Sequence, residues 1–349
     1  MKNITIQSMT TTKTSDVAAT TKQINTLARI GCDIIRVAIT DADSAKSIGK
    51  IKEQISIPLV ADIHFDHKLA LLAIDAGADK IRINPGNIGT PENVKAIATA
   101  CNQKKIPIRI GVNSGSLEKE ILARHGGVTP EAMVESVLKN IKLLNKYDFD
   151  NIWLSAKASN VPLTVSTYRR LHEQTNYPLH LGVTEAGTEY NGIIKSSIGI
   201  GTLLLDGIGD TIRVSLTAAP EKEVEAAKAI LKALNLRPGI DIISCPTCDR
   251  CNIDIIRIAN EVEKRVEEIS KSADSNSRLS ASMTIAIMGC AVNGPGEAKQ
   301  ADFGISGIDP ANNKTGAGEG IIFAKGKIIG KAPMEKLVDE LFKLINNEY

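Results

Sequence analysis

Cysteines with the spacing of metal ligands lie close together in the last third of the chain. Cys245, Cys248 and Cys251 form a Cys-x2-Cys-x2-Cys turn, and Cys290 and Glu297 follow after a helix-like insert. Cysteines gathered in this way after a long cysteine-poor segment usually bind a metal rather than form disulfides. Zinc takes four ligands, and so does a 4Fe-4S cluster, for which three thiolates and one weaker ligand would leave an iron open. The spacing therefore indicates either an iron-sulfur cluster or zinc.

Basic side chains form the second group with a chemical role. They alternate with apolar residues in short runs, so that Arg82 and Asn84 share one face of a predicted strand while Ile81 and Ile83 share the other. Five runs repeat this pattern, and their basic residues are Arg36, Arg82, Arg109, Lys157 and Arg213. The polar residues on the same faces include Asp62, His64, Asn84, Asn113, Thr184 and Ser215.

These five cations predict an anionic ligand. Burial of an unpaired charge costs several kcal/mol, and the planar guanidinium group matches the oxygens of a phosphate. A ligand with two phosphoryl groups would account for the excess of positive charge. In the alternative, each basic residue pairs with a structural carboxylate, but only Asp62 and Glu185 are acidic residues of these strands that fall near them.

Eight short apolar runs, each followed by a helix-like segment, must position these residues. The runs are Ile4–Thr10, Asp33–Thr40, Pro58–Phe65, Lys80–Pro85, Pro107–Asn113, Asn151–Ser159, Pro178–Glu185 and Thr211–Leu216. Thr90-Pro91 and Thr129-Pro130 are typical helix starts, with a capping Thr and Pro at the first helical position. Eight such repeats favour a TIM (β/α)8 barrel, which we assign to residues 1–237. Its uniformly apolar strand faces must contact the outer helices, so the polar faces point inward and the cations meet at the carboxyl-end mouth.

Residues 238–349 predict a second, smaller domain of the α+β class. The short break at Pro238-Gly239 precedes a strand that leads into the cysteine turn. A helix, further strands, a hairpin and a final helix follow, so the metal ligands belong to this domain rather than to the barrel.

The composition excludes several other functions. A formal net charge of +2 over 349 residues gives no reason to expect a nucleic-acid or membrane surface. The first residues enter a strand pattern without a signal sequence, and no run approaches the roughly 18 apolar residues of a membrane span. We therefore expect a cytoplasmic protein, in which thiols stay reduced and available to a metal.

Two weaker candidates lie among the polar residues of the barrel. His64 next to Asp62 suits substrate binding or proton transfer, and the alternative is a hydrogen-bonded inner histidine. Glu185, where the seventh strand ends, suits a general acid, and the alternative is a surface loop carboxylate.

Eight segments of the chain match motifs of a known enzyme family. The most specific are Ser244-Cys-Pro-Thr-Cys248 and Gly289-Cys-Ala-Val-Asn-Gly-Pro-Gly-Glu-Ala298. The others are Gln7–Thr10, Val60–Phe65, Arg82–Asn87, Ile108–Lys119, Val183–Gly187 and Gly207–Ser215. Over nearly its whole length the chain resembles the 4-hydroxy-3-methylbut-2-enyl diphosphate synthases, the iron-sulfur enzymes of the methylerythritol phosphate route to isoprenoids.

The resemblance implies a reaction and its participants. It implies a TIM barrel followed by a 4Fe-4S domain, which together open the ring of 2-C-methyl-D-erythritol 2,4-cyclodiphosphate reductively and remove a hydroxyl as water. Two electrons would arrive singly through the cluster, with a ferredoxin or flavodoxin as the expected donor. The thiolate ligands would be Cys245, Cys248 and Cys290, with Glu297 as the exchangeable ligand of the fourth iron.

The resemblance also implies roles for the barrel residues. The residues expected to hold the diphosphate are Arg36, Arg82, Arg109, Lys157 and Arg213, helped by Asn84, Asn113, Thr184 and Ser215. Asp62, His64 and Glu185 would lie near the carbon skeleton, with Glu297, Glu185 and His64 as the catalytic residues.

Among the departures from the family pattern, one concerns the metal ligands, and three rival functions also stay open. Cys251 makes a ferredoxin-like triplet and is the alternative to Glu297 as fourth ligand, although the Asn-Gly-Pro-Gly-Glu motif is intact. The rival functions are a zinc-stabilised barrel lyase or transferase for a phosphorylated substrate, a radical S-adenosylmethionine enzyme and an electron carrier. A radical enzyme would carry its cysteines inside the barrel, and a carrier would not use the basic strands.

The short linker between the two domains predicts a homodimer. The eighth helix ends on the barrel floor, and a linker of about four residues reaches only ~14 Å. A barrel helix of about 15 residues is ~22 Å long, so the cluster domain cannot easily reach the mouth of its own barrel. We expect a head-to-tail dimer in which each cluster domain covers the barrel of the sister chain.

Overall fold

The chain folds into two compact units, Met1–Leu236 and Arg237–Tyr349, each with its own hydrophobic core. The structure, a computed structural model, describes residues 3–84, 87–272, 283–290, 299–308 and 318–348. None of the helices in these ranges is both long and apolar enough to cross a membrane.

The first unit alternates parallel strands with helices. Its strands are β1 (Thr5–Met9), β2 (Ile34–Ile39), β3 (Leu59–Ile63), β4 (Lys80–Ile83), β5 (Ile108–Asn113), β6 (Ile152–Lys157), β7 (His180–Leu181) and β8 (Thr211–Ile212). Its helices are α1 (Val17–Arg29), α2 (Ala42–Lys52), α3 (His67–Asp75), α4 (Pro91–Lys104), α5 (Lys119–His125), α6 (Pro130–Asn145), α7 (Val161–Gln174), α8 (Glu189–Leu205) and α9 (Pro220–Ala233). A single 3-10 turn at Ser114–Ser116 follows β5.

The eight strands form a closed parallel barrel. Their order is β6-β5-β4-β3-β2-β1-β8-β7, and a parallel bridge between Leu154 and Leu179 joins the two ends. The amide of Leu154 donates to the carbonyl of Pro178 at 2.8 Å across the same seam. The prediction of a TIM barrel is therefore confirmed.

Local sequence explains the elements of the barrel. In β2, the β-branched residues Ile35 and Val37 are buried against the helices, while Arg36 between them points the other way. At the start of α6, the hydroxyl of Thr129 accepts from the amide of Ala132 at 3.1 Å, as expected of a cap. Thr90 precedes α4 in the same way, but its side chain makes no capping hydrogen bond.

The second unit is a small α+β domain, as the sequence predicts. Its elements are β9 (Ile240–Ser244), α10 (Ile255–Ser272), β10 (Met283–Met288), β11 (Phe303–Gly307), β12 (Glu319–Ala324), β13 (Lys327–Pro333) and α11 (Leu337–Glu348). The sheet order is β13-β12-β11-β10-β9, with β10 parallel to both of its neighbours. In α10, buried residues recur at helical spacing, at Ile255, Ile258, Val262 and Val266, and cover one face of this sheet's core.

Candidate active site

The polar faces of the strands lie inside the barrel. Arg109 is 1% exposed and Lys157 is 8% exposed, and the neighbouring Ile108 and Ala156 are buried on the opposite, helix-facing side. The two strands pair directly, with Asn113 beside Lys157. We use the term barrel cations for five of the basic residues of these faces, which are Arg36, Arg82, Arg109, Lys157 and Arg213.

Asp62 is the carboxylate between two of the barrel cations. Its Oδ1 lies 3.0 Å from Nη1 of Arg82, and its Oδ2 lies 3.6 Å from Nε of Arg36. Burial alone would raise the pKa of Asp62, yet the charges of Arg36 and Arg82 hold that pKa far below its usual range. Asp62 is therefore an ionised carboxylate that fixes two guanidinium groups.

His64 contacts the same pair at the half-exposed edge of the barrel. Its Nε2 lies 3.0 Å from Nη1 of Arg82 and 3.6 Å from Oδ1 of Asp62. Because a guanidinium group only donates, Nε2 accepts this hydrogen bond, and a neutral ring then carries its proton on Nδ1. The structure thus brings Asp62, His64 and Arg82 together, as the sequence predicts for neighbours on strands β3 and β4.

A carboxylate outside the strands contacts Arg213. Glu223 lies in the first turn of α9, and each of its oxygens is 3.5 Å from Nη2 of Arg213. The alternation along the strands indicates only carboxylates of the strands, so it does not predict Glu223. A Glu near a helix start is ordinarily explained by the helix dipole, so its inward direction has no separate signal in the sequence.

The remaining two barrel cations are less well paired. Nη1 of Arg109 donates to Oε1 of Gln7 at 2.9 Å, and Nε of Arg109 has no hydrogen-bond partner among the described residues. Lys157 forms no ion pair within the described ranges, where Asp62 and Glu223 pair with Arg36, Arg82 and Arg213. The alternative in which every basic residue has its own carboxylate does not describe this site.

Burial and the crowding of positive charge lower the pKa values of Arg36 and Lys157. Burial lowers the pKa of Arg36 to about 9, with added repulsion from Arg213 and Arg82. Burial, followed by the charges of Arg109 and Arg213, lowers the pKa of Lys157 well below its ordinary value. An anionic ligand among these side chains would relieve both the repulsion and the lost solvation.

Two glycines, one in β5 and one just after β7, make room for the cations. A Cβ on Gly111 would lie 2.4 Å from Nε of Arg82, and a Cβ on Gly182 would lie 2.6 Å from Nζ of Lys157. Nη2 of Arg82 also donates to the carbonyl of Gly111 at 3.4 Å. The absence of a side chain at these positions therefore allows a guanidinium and an ammonium group to lie against the backbone.

The last predicted site residues lie at or beyond the ends of the strands. Asn84 is buried just after β4, and Asn113, which ends β5, is partly exposed. β7 and β8 are shorter than predicted, because each is paired over only two residues. Thr184, Glu185 and Ser215 consequently belong to loops.

Glu185 is separate from the cluster of polar side chains. It is exposed, adopts a left-handed backbone conformation with φ of 51°, and makes no hydrogen bond or ion pair to any described residue. Thr184 remains close to β6, since its amide donates to the carbonyl of Ala158 at 3.2 Å.

In the second unit, the cysteine turn is attached to the end of β10. The amide of Cys245 donates to the carbonyl of Ile287 at 3.1 Å, and the amide of Asn252 donates to the carbonyl of Gly289 at 3.0 Å. Because β9 and β10 are parallel neighbours, Cys245 and Cys290 follow adjacent strand ends. Distant parts of the sequence are thereby brought to one edge of the sheet.

Sulfur atoms surround Gly289 at this edge. Sγ of Cys245 accepts a hydrogen bond from the amide of Gly289 at 3.1 Å. A Cβ on Gly289 would lie 2.6 Å from Sγ of Cys251 and 3.5 Å from Sγ of Cys245. Cys290 is buried and Cys248 is exposed. Thiols on adjoining segments, with an amide directed at one sulfur, fit a thiolate-bound metal group, in which such hydrogen bonds are usual.

The ligand set is only partly covered by the described residues. Glu297 and the rest of 291–298 lie outside them. Within the described ranges, no three His, Cys, Asp or Glu side chains are arranged to hold a metal ion.

Comparison with known proteins accounts for both units. A family model described as the GcpE TIM-barrel domain matches residues 1–228, and one described as the GcpE protein C-terminal domain matches residues 241–347. The chain belongs to the GcpE family. Among its GcpE relatives, a protein of Caldicellulosiruptor saccharolyticus is 57% identical over 99% of this chain and 94% of its own length. A protein of Clostridium perfringens is 54% identical over 98% of this chain and 93% of its own length. Both are named 4-hydroxy-3-methylbut-2-en-1-yl diphosphate synthase (flavodoxin).

GcpE membership confirms the resemblance found in the sequence, and the structure adds contacts that the motifs do not reveal. Gln7 lies in a matching motif, but its hydrogen bond to Arg109 crosses the barrel between β1 and β5. His180, the first residue of β7, is buried, and its Nδ1 lies 2.6 Å from Oγ1 of Thr211. Closure of the barrel brings Gln7 to Arg109, and the register of β7 against β8 brings His180 to Thr211, so alternation along one strand cannot predict either contact.

Proposed function

We propose that this chain converts 2-C-methyl-D-erythritol 2,4-cyclodiphosphate to 4-hydroxy-3-methylbut-2-en-1-yl diphosphate by reductive ring opening and dehydration. The observation that carries this proposal is the set of five barrel cations, which face only two contacting carboxylates in the described part of the barrel. A diphosphate supplies the missing negative charge. Membership of the GcpE family, whose cited relatives carry the name of this synthase, supports the same reaction.

The barrel binds and orients the diphosphate. Arg36, Arg82, Arg109, Lys157 and Arg213 hold its oxygens through charge-assisted hydrogen bonds, and Asn84, Asn113, Thr184 and Ser215 supply further polar contacts. Arg82 reaches the ligand already oriented by Asp62 and by the carbonyl of Gly111. Such preorganisation limits the loss of side-chain entropy on binding.

Residues at the mouth handle the carbon skeleton and its protons. His64 is held by Arg82 with its proton on Nδ1, which makes that atom the available donor of the ring. Glu185 lies on an exposed loop beyond β7. It therefore acts only when this loop contacts the bound substrate. Asp62 remains ionised and positions Arg36 and Arg82 rather than exchanging a proton itself.

Cys245, Cys248 and Cys290 of the second unit would hold a 4Fe-4S cluster, with Glu297 as the fourth ligand. When bound, the cluster supplies the two electrons of the reduction one at a time. The amide of Gly289 stabilises negative charge on the sulfur of Cys245. We assign the electron donor to a flavodoxin, consistent with the names of the relatives.

Metal analysis and turnover test this function against the zinc alternative. The protein purified without oxygen should be brown, contain about four irons per protomer, and convert the cyclodiphosphate with reduced flavodoxin. Cys290→Ser should lose both iron and turnover. Cys101→Ala is the matched control, because burial in the barrel core raises the pKa of Cys101 to about 12 and removes it from metal chemistry. A colourless protein with stoichiometric zinc would refute the proposal.

A further inference from the structure

Glu223 forms a junction between three elements of the barrel. Its Oε1 accepts from the amide of Leu216 at 3.1 Å, and its Oε2 lies 3.2 Å from the hydroxyl of Ser8. Both oxygens lie 3.5 Å from Nη2 of Arg213. Glu223 lies in the first turn of α9, Ser8 belongs to β1, and Arg213 and Leu216 follow β8. One carboxylate of 5% exposure therefore joins all three elements.

The geometry around Arg213 leaves part of its guanidinium group for a ligand. Its contact with Glu223 involves Nη2 alone and is long, whereas Nε is buried and has no hydrogen-bond partner among the described residues. The amide of Arg213 donates to the carbonyl of Leu181 at 3.0 Å, which fixes the backbone. The charge of Arg213 also acts on Arg36 and Lys157. Arg213 is thus directed toward the other barrel cations, and N–H groups of its guanidinium remain available to a ligand.

We propose that Glu223 is a positioning residue, which holds Arg213 in the orientation that binds the substrate diphosphate. The inference rests on the proposed function. A purely structural role, in which Glu223 only fastens α9 to β1 and β8, would use the contacts with Ser8 and Leu216 and would not depend on Arg213.

Glu223→Gln separates these roles, because the amide keeps the shape and an oxygen for Leu216 but loses the charge beside Arg213. Glu223→Asp keeps the charge on a shorter side chain and serves if the first variant does not fold. Glu225→Gln is the matched control, since Glu225 lies on the same helix, is exposed and pairs only with Lys222 among the described residues, at 3.0 Å.

The measurement is equilibrium binding of the cyclodiphosphate by calorimetry, in a double-mutant cycle with Arg213→Gln. Glu223→Gln should weaken binding about tenfold, the size expected for a hydrogen bond to a charged group, and should add nothing in the Arg213→Gln background. Glu223→Asp should weaken binding less, and Glu225→Gln should bind as the parent does.

Two results would overturn the assignment of Glu223. One is an unchanged affinity of Glu223→Gln for the cyclodiphosphate. The other is a loss of affinity in the double variant that equals the product of the losses in the two single variants. Failure of the parent protein itself to bind the cyclodiphosphate would instead refute the proposed function, so the two failures are distinguishable.

Discussion

At the scale of single residues, Lys80 and Trp153 form an unusual contact at the amino-terminal side of the barrel. Nζ of Lys80 lies 3.3 Å from the centre of the Trp153 ring. Burial and the charge of Arg109 lower the pKa of Lys80 to about 7, whereas the face of the indole ring favours the charged ammonium group. Lys80 therefore titrates in the physiological range, next to the only tryptophan of the chain.

Fluorescence of Trp153 should report this titration directly. Emission should change between pH 6 and pH 8 with a midpoint near the folded-state pKa of about 7, because the ammonium charge over the ring disappears. Lys80→Met should abolish the change. A titration that persists in the variant would assign the proton to another group.

The same shift has a consequence for stability. The unfolded lysine has a pKa of 10.5 and the folded one about 7, so the unfolded chain binds more protons between these values. The free energy of unfolding of the parent should therefore rise with pH from 7 to 10.5 relative to Lys80→Met, as measured by denaturant unfolding of the full chain. Parallel pH curves for the two proteins would contradict the assignment.

At the scale of elements, the glycines of the barrel strands are as informative as the charged residues. Gly111→Ala should displace Arg82, because the new methyl group would lie 2.4 Å from its Nε. We expect the KM for the cyclodiphosphate to rise about tenfold, which corresponds to the loss of one charge-assisted hydrogen bond.

Gly201→Ala is the control for this prediction, since a Cβ at that position in α8 meets no atom within 4 Å. It should leave KM unchanged. Equal effects of the two substitutions would show that Gly111 matters only for the stability of the fold.

Gly289→Ala should have the corresponding effect in the second unit. A methyl group there would lie 2.6 Å from Sγ of Cys251 and 3.5 Å from Sγ of Cys245, so the cysteine turn must move. We expect iron content after anaerobic reconstitution to fall severalfold. Gly330→Ala, where a Cβ meets nothing within 4 Å, should bind iron as the parent does. Full iron loading of Gly289→Ala would indicate that the turn adapts freely.

Features of the elements that depend on neighbouring residues could be predicted, and those that depend on contacts with distant segments could not. Alternation of Arg with Ile in β4 and β5 correctly indicated which side faces inward, because the period of a strand is fixed by its backbone. The lengths of β7 and β8 were overestimated, since their ends depend on pairing with neighbours. Glu223 was missed because a helix residue reaches into the barrel from outside the strands, and alternation does not describe it.

At the scale of the whole molecule, the sequence predicted a barrel followed by a cysteine-bearing α+β unit, and both architectures are present. The large number of strand-helix repeats made the first prediction possible. The complete ligand set could not be derived in the same way, because both Cys251 and Glu297 are chemically suitable as the fourth ligand of the metal group. Only the family motif favours Glu297, which lies outside the described residues.

At the scale of the whole molecule, the head-to-tail dimer stays a prediction. Analytical ultracentrifugation of the anaerobic protein should give twice the protomer mass. Mixing a Cys290→Ser protein with an Arg109→Gln protein should restore part of the turnover, because one kind of active site in the mixed dimer then combines an intact barrel with an intact cluster unit. Full activity at a protomer mass, or a mixture without any recovery, would exclude the arrangement.

The crowded barrel cations also bear on how long the protein survives in a cell. Like charges buried side by side oppose the folded state until a partner of opposite sign arrives, and a ligand that binds only the native chain stabilises it by mass action. The free energy of unfolding of the parent should therefore rise as the cyclodiphosphate is added, and the resistance of the native chain to proteolysis should rise with it.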